Sequence, residues 1–303
     1  MLDEAQSEPE LSVVIPAFDE EEAIAPTLAS LHAVLAGAGI EYEVIVVDDG
    51  SSDRTGEIAE GAGSETERAR TRVLREARNR GYGAALKRGI AAARADLVLI
   101  TDADGTYPAG EIPRLYAKAA DFDMVVGART GEDVNVPLSR QPAKWVLRKL
   151  AGYLAGQKIP DLNSGLRVMR REHVRRFAHI LPPGFSFTTT ITLALLSNDM
   201  TVGYVPIDYH RRIGRSKVRA VDAWHFLLLI LRVIVLFNPL KVFLPLGALA
   251  FVAGLLKFAY DVTKANLSES AVMCLLAAVI IWAVGLLADQ NSRLGLDRDS
   301  WGR

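Results

Sequence analysis

Asp102-Ala103-Asp104-Gly105 sets two carboxylates one residue apart, followed by a glycine. Carboxylates are hard oxygen ligands. Mg²⁺ or Mn²⁺ takes one or two of them and completes its shell with waters and substrate phosphates. The pair therefore suits a metal–diphosphate site. A polar strand end followed by a turn would carry the same letters, because the motif is short. A second acidic edge, Asp48-Asp49-Gly50-Ser51, has the same form. There one carboxylate could accept hydrogen bonds from a base or ribose while the other edge handles metal. A helix-entry turn explains Asp48 and Asp49 equally well, since Asp often caps helices.

The elements ahead of these acids tell how they are placed. Leu97-Val98-Leu99-Ile100 and Glu43–Asp48 are unbroken rather than alternating apolar runs. Such runs suit strands of a parallel sheet covered on both faces. Both acidic pairs then lie at the carboxyl ends of strands, where open α/β sheets bind ligands. Leu11–Pro16 reads as a first strand, leading into Ala17–Glu22 and a helix to about Leu35 with acidic residues in its first turn. Gly37 and Gly39 punctuate its end. Ser52 or Asp53 is the expected N-cap of the next helix. Arg72–Leu74 is a short third strand, Asn79–Gly83 opens a helix to about Arg94, and Met124–Gly127 is a fifth strand. This alternation predicts an α/β sheet, parallel in its first half. Beyond Gly127 the expected order is a loop over the site to Pro137, a basic helix over Lys144–Leu154, and a turn and strand over Asp161–Met169. A helix over Phe185–Leu196 and a late strand over Val202–Pro206 follow.

The last third changes character. Asp222–Phe237 mixes Trp224, His225 and Arg232 with aliphatic residues, which fits a helix lying in a membrane interface. Val242 to about Tyr260 is apolar except for Lys257, and Ala271–Ala288 carries no charge, so both predict membrane spans. Asp261–Ser270 would be the outer loop. Basic residues precede the first span and follow the second, which puts both termini in the cytoplasm. The acidic, polar start Met1–Glu10 is no signal peptide. Lys+Arg is 35 against Asp+Glu 36, which gives no basic excess for nucleic acid. A single cysteine excludes an intrachain disulfide; Cys274 reads as a small buried hydrophobe.

The motifs also occur in a telling order: Val-Val-Ile-Pro-Ala-Phe-Asp-Glu at 13–20, Val-Val-Asp-Asp-Gly-Ser-Ser-Asp at 46–53, Asn79 with Gly81 and Gly83, and Asp102-Ala103-Asp104. Val-Gly-Ala-Arg at 126–129, Asn-Ser-Gly-Leu-Arg at 163–167 and Arg211 with Gly214, Ser216 and Lys217 follow. The chain thus resembles the inverting nucleotide-sugar glycosyltransferases of GT-A fold, and more narrowly the polyprenyl-phosphate (dolichyl-phosphate mannose synthase-like) glycosyltransferases. The match runs over roughly residues 11–220, and the C-terminus resembles bacterial members. The resemblance implies a cytoplasmic GT-A domain (Rossmann-like, mostly parallel) at 1–218, a juxtamembrane interfacial helix at 219–238, and a two-helix transmembrane anchor with a short cytoplasmic tail at 239–303. It implies that Pro16, Ala17 and Glu20, with Asp48 or Asp49, hold the nucleoside, and that Asn79 and Ala103 belong to the donor site. Asp102 and Asp104 would bind Mg²⁺ or Mn²⁺. Arg129, Arg140, Arg211, Ser216 and Lys217 would bind phosphates of donor and lipid acceptor, as arginine's planar fork allows.

Two departures bear on the donor. The metal-binding Gln of the mannose synthases is Thr106 here, and their Phe-x-x-Glu is Phe187-Thr-Thr-Thr190. Both weaken GDP-mannose as donor and favour a UDP-sugar. A lipid monophosphate has its second pKa near ~6, so it needs no general base. The expected chemistry is direct displacement with inversion at the cytoplasmic face of the cell membrane. Alternatives are a GDP-mannose-dependent synthase or a processive polysaccharide synthase, whose Gln-x-x-Arg-Trp is approached by Gln141-Pro-Ala-Lys-Trp145, and an inactive nucleotide-sensing membrane scaffold. Related membrane enzymes suggest a homo-oligomer by analogy.

Overall fold

The computed structural model describes residues 8–63, 65–66, 69–130, 152, 156, 158–184, 186–210, 238–264 and 268–298. Eight strands form one sheet: β1 (Leu11–Ala17), β2 (Tyr42–Asp48), β3 (Glu65–Thr66), β4 (Ala69–Arg75), β5 (Leu97–Ile100), β6 (Met124–Arg129), β7 (Arg167–Arg170) and β8 (Val202–Ile207), in the order β3-β4-β2-β1-β5-β7-β6-β8. β4, β2, β1 and β5 are mutually parallel, and β6 and β8 pair in parallel. β7 runs antiparallel to both neighbours, and β3 is an antiparallel edge. The parallel first half is as expected; β3 was not read from the sequence.

Burial explains the unbroken runs. Every residue of β1 and β2 is buried, because helices cover both faces. On one face α1 (Ile24–Gly37) presents Ile24, Leu28, Leu31 and Leu35, a helical stripe that packs with Val13, Ile15, Val44 and Leu99. The short α4 (Ile112–Lys118), unforeseen in the sequence, joins the same layer through Ile112 and Leu115. On the other face α3 (Tyr82–Ala92), α5 (Arg171–Phe177) and α6 (Phe187–Ser197) pack on Val14, Ile45, Val47 and Ile100. A Cβ at Gly89 would overlap Val14, so α3 lies flat on the sheet.

Three boundaries differ from the sequence reading. α1 starts at Ile24 and has no acid in its first turn. Asp19–Glu22 is instead a loop, entered through Asp19 at φ 50° and tied to the next loop. Asp19 N donates to Ser51 Oγ (3.0 Å), Glu20 N to Thr55 Oγ1 (2.8 Å), and Ser52 N to Asp19 Oδ1 (2.8 Å). Side chain–backbone bonds to a loop more than thirty positions on hold the segment out of the helix. The helix α2 (Thr55–Gly61) has Arg54 at its N-cap position, not Ser52 or Asp53. Asp53 still serves the helix end, since its Oδ1 accepts from Thr55 N at 2.9 Å. α3 begins at Tyr82 and ends at Ala92, shorter at both ends than expected.

At the C-terminus α7 (Leu240–Thr263) and α8 (Glu269–Arg298) are both long and apolar enough to cross a membrane. The helices extend past the expected spans, so Asp261 and Glu269 are helical rather than loop. Outward-facing Leu249, Leu256, Met273 and Ile280 are exposed. The inner seam repeats every seventh residue and is mostly small: Gly247, Gly254 and then Asp261 on α7, and Ala271, Ala278, Gly285 and Ser292 on α8. A Cβ on Gly285 would lie 2.5 Å from Phe243 Cβ, and one on Gly254 would lie 3.1 Å from Leu275 N. Cys274 is half-buried on α8, not in a core. The loop to Pro137, the helix over 144–154 and the interfacial helix over 222–237 were expected on stretches that lie almost wholly outside the described residues.

Candidate active site

The carboxyl ends of β1, β2 and β5 converge on one edge, as parallel strands must. The register explains why Pro16 is tolerated in a central strand. Val14 O accepts from Thr101 N and Ala17 O from Asp49 N, so even residues of β1 face β5 and odd ones face β2. The β1–β5 ladder ends at Val14, and Pro16 faces the space beyond it, where no ladder bond is lost.

Asp48 and Asp49, at the end of β2, are both buried. Asp48 Oδ1 accepts from Ser51 N at 2.9 Å and closes the turn around Gly50, whose φ is +74°. A Cβ at Gly50 would lie 2.5 Å from the Arg78 carbonyl carbon, so the turn packs against the approach to exposed Asn79. Asp49 reaches across to that segment. Its Oδ1 and Oδ2 accept from Arg80 N and Gly81 N, each at 2.8 Å. A carboxylate offers about four acceptor positions, so these two bonds leave capacity for a ligand. The glycines of the Asn79-x-Gly-x-Gly stretch serve packing. Cβ atoms at Gly81 and Gly83 would meet the carbonyls of Pro182 and Pro183, and Ala84 N donates to Pro183 O at 2.9 Å.

Past β5, Asp104 is 4% exposed and Asp102 is half-buried. Gly105, at φ +69°, turns the chain after them. Asp104 Oδ1 accepts from Thr106 N (3.1 Å) and Thr106 Oγ1 (2.6 Å). Thr106, read from the sequence as a lost ligand, is thus the residue that orients Asp104. Asp102 Oδ1 accepts from Tyr82 Oη at 2.9 Å. Ala103 is buried, and its carbonyl accepts from Thr27 Oγ1 of α1 at 3.0 Å. Among the described residues no group of three or more His, Cys, Asp or Glu gathers in one place. A donor set of two carboxylates fits a hard divalent ion that draws its other ligands from phosphate and water. Below this turn lies a cavity of about 230 Å³ between α1 and residues 105–112, bordered by Thr101, Tyr107 and exposed His210.

The turn before β7 abuts Asp102. A Cβ on Gly165 would stand 2.8 Å from Asp102 Oδ1, and Gly165 N donates to Tyr107 Oη at 2.6 Å. Arg167 anchors this turn. It is fully buried, and donates through Nε to Ser164 O (2.7 Å), Nη2 to Leu162 O (2.8 Å) and Nη1 to Thr188 O (3.0 Å) and Thr192 Oγ1. The threonines of α6 are therefore a buried polar layer: Thr189 reaches Asn163, while Thr190 and Thr192 bond back to carbonyls one turn earlier.

Arg129, at the end of β6, forms a bidentate pair with Asp161, Nε to Oδ2 at 2.7 Å and Nη2 to Oδ1 at 3.0 Å, and stacks 5.1 Å from the Tyr209 ring centre. Burial pushes the Asp161 carboxyl up, but the Arg129 bonds and charge prevail and hold it at about 2. A depressed folded-state value stabilises the fold above the ordinary carboxylate range and loses that contribution as pH falls through the folded value. The contribution of about 2 kcal/mol is expected to vanish between about pH 4 and pH 2. Thermal unfolding of the full chain at pH 5 and pH 2.5 should show a smaller acid-induced drop for Asp161→Asn than for the parent. Equal drops would refute the pair's role.

The sequence placed the pairs Asp48/Asp49 and Asp102/Asp104 at the carboxyl ends of neighbouring parallel strands, and they lie there; Pro16 and Ala17 end β1, Glu20 sits in the loop after it, Asn79 lies beside the Gly50 turn, and Ala103 lies between the second pair. Arg140, Arg211, Ser216 and Lys217 lie outside the described residues. Tyr82, Thr106, Tyr107, Asp161 and Arg167 were missed as site residues. The signal available for Arg167 was its place at the end of the Asn-Ser-Gly-Leu-Arg stretch, ahead of the apolar Val168 and Met169.

A family model described as Glycosyl transferase family 2 matches residues 12–177, and one described as GtrB C-terminal hairpin matches residues 238–294. Among curated proteins, a dolichyl-phosphate hexose transferase of Haloferax volcanii is 31% identical over 211 residues, 69% of this chain and 86% of that protein. An undecaprenyl-phosphate 4-deoxy-4-formamido-L-arabinose transferase of Pectobacterium carotovorum is 30% identical over 253 residues, 81% of this chain and 73% of that protein. A low-salt glycan biosynthesis hexosyltransferase of Haloferax volcanii is 30% identical over 223 residues; the chain spans about half of its length, 52%. Among solved structures, glucosyl-3-phosphoglycerate synthase from Mycobacterium tuberculosis, in complex with Mn²⁺, uridine diphosphate and phosphoglyceric acid, aligns with TM-score 0.57 and 23% identity over 75% of this chain and 78% of that one. At that identity the likeness is one of fold.

Proposed function

Since the chain belongs to glycosyl transferase family 2, with a GT-A-type sheet ahead of two long apolar helices, we propose that it moves a single sugar from a nucleotide-sugar, a UDP-sugar by preference, to a polyprenyl phosphate at the cytoplasmic membrane face. The observation that carries this reading is the acidic pair Asp102 and Asp104 at the carboxyl edge of the sheet, on a chain that also bears an apolar hairpin. The polyprenyl-phosphate transferases among its relatives support the acceptor class. The uridine diphosphate and Mn²⁺ held by a protein of the same fold support the donor and metal. The domain limits 1–218, 219–238 and 239–303 are part of the proposal.

Asp102 and Asp104 are assigned to hold Mg²⁺ or Mn²⁺, which supplies positive charge against the leaving diphosphate when bound. Pro16, Ala17, Glu20, Asp49 and Asn79 form the nucleoside corner, with Asp48 shaping its turn. Arg129, steadied by Asp161, stands at the same edge to meet phosphate, and Arg140, Arg211, Ser216 and Lys217 are assigned to phosphate as well. The acceptor phosphate, with its second pKa near ~6, is largely dianionic at neutral pH, so the chain needs no general base. Its task is to align one anion behind the anomeric carbon while the other leaves. Direct displacement with inversion and no covalent enzyme intermediate follows. A screen of UDP- and GDP-sugars with one short polyprenyl phosphate and Mg²⁺ or Mn²⁺, with products separated, tests the reading. One sugar per lipid from a UDP donor is expected. A polymer, a product from GDP-mannose alone, or nucleotide binding without turnover would overturn it.

A further inference from the structure

The acids of this fold are held in two different ways. Glu43 is paired with Arg72 and Arg94, and Asp161 with Arg129. Cations orient those carboxylates and cancel their charge. At the acidic pair the donors include neutral hydroxyls: Thr106 Oγ1 for Asp104 and Tyr82 Oη for Asp102. A hydroxyl donor fixes a carboxylate's orientation without cancelling its charge. Thr106 is a near neighbour in sequence, whereas Tyr82 comes from another element twenty positions away.

We propose that Tyr82 is a positioning residue for Asp102, selecting the carboxylate orientation that receives the divalent ion. This rests on the reading of Asp102 as a metal ligand. Tyr82 is itself well fixed. Its backbone follows Gly81, whose N–H is bound by Asp49, and precedes the stretch where Ala84 N is bound by Pro183 O. Its ring packs against the core layer on the α3 face. Gly165 also crowds the carboxylate: a Cβ there would come within 2.8 Å of Oδ1. The hydroxyl bond and the close Gly165 backbone together restrict an aspartate that would otherwise sample several staggered side-chain angles. Partners of this kind typically change metal affinity by about 10–100-fold when removed.

The test is Mn²⁺ titration of the full-length protein in detergent, with free Mn²⁺ read by electron paramagnetic resonance, for the parent, Tyr82→Phe and Asp102→Asn. Phe keeps the ring and its packing, and melting temperatures are recorded alongside. Tyr82→Phe is expected to raise the Mn²⁺ dissociation constant about tenfold or more, and Asp102→Asn to remove tight binding. A Tyr82→Phe protein that melts lower but binds Mn²⁺ like the parent, while Asp102→Asn loses binding, overturns the positioning role alone. Parent-like binding by Asp102→Asn overturns the metal reading itself.

Discussion

Asp104→Asn is expected to lower sugar transfer about 10³-fold or more while the chain stays folded, by the several kcal/mol of charge stabilisation that a metal site supplies. The change removes a negative charge and keeps the shape. The amide oxygen of Asn can still accept from Thr106 N and Thr106 Oγ1, the bonds that now orient the carboxylate. Gly105 keeps its turn, and Ala103 keeps its bond to Thr27. Turnover with saturating donor, measured beside a melting curve, separates the two effects. A variant with parent-like turnover would remove the basis for the assigned site. A variant that melts far lower would mean that the carboxylate serves the fold.

Arg167→Met should be among the most destabilising single substitutions in the sheet domain. The guanidinium is fully buried and bonded to Leu162 O, Ser164 O, Thr188 O and the Thr192 hydroxyl. Met fills similar volume but leaves the Leu162 and Ser164 carbonyls without this donor in a dry place, while Thr188 O keeps its bond from Thr192. Each buried unsatisfied group costs about 1–3 kcal/mol, although neighbours relax, so a loss of about 3–5 kcal/mol is expected. That is a large part of a typical stability of about 5–15 kcal/mol. Arg167→Lys should recover only part of it, because an ammonium group cannot span acceptors arranged for a planar fork. Thermal melting in detergent gives the comparison. Unchanged melting of the Met variant would show that the turn before β7 holds itself.

The strands that position the site were legible because they are buried on both faces. Continuous apolar runs such as Val44–Val47 have few other uses in a chain of this composition, and an acid at the end of such a run stands out. Direction was not legible in the same way. β7 (Arg-Val-Met-Arg) pairs antiparallel with β5 (Leu-Val-Leu-Ile), and nothing in either run of residues announces the direction of the pairing, which is a tertiary matter. The acidic loop after β1 was misread as a helical turn because Asp and Glu suit both a helix N-terminus and a loop that bonds to another loop. Only the partners Ser51 and Thr55, more than thirty positions on, decide between them. The residues that orient the acids were hidden for a related reason. Tyr82, Gly165 and Arg167 act through contacts made by packing, and nothing in their local spacing announces the neighbour.

The seam between α7 and α8 has a consequence for what a single copy can do. Helices that touch through glycine, alanine and serine every seventh residue wind about each other with a left-handed twist and leave no lumen between their backbones. One such pair, close-packed along its seam, offers a polar sugar no passage between its two helices.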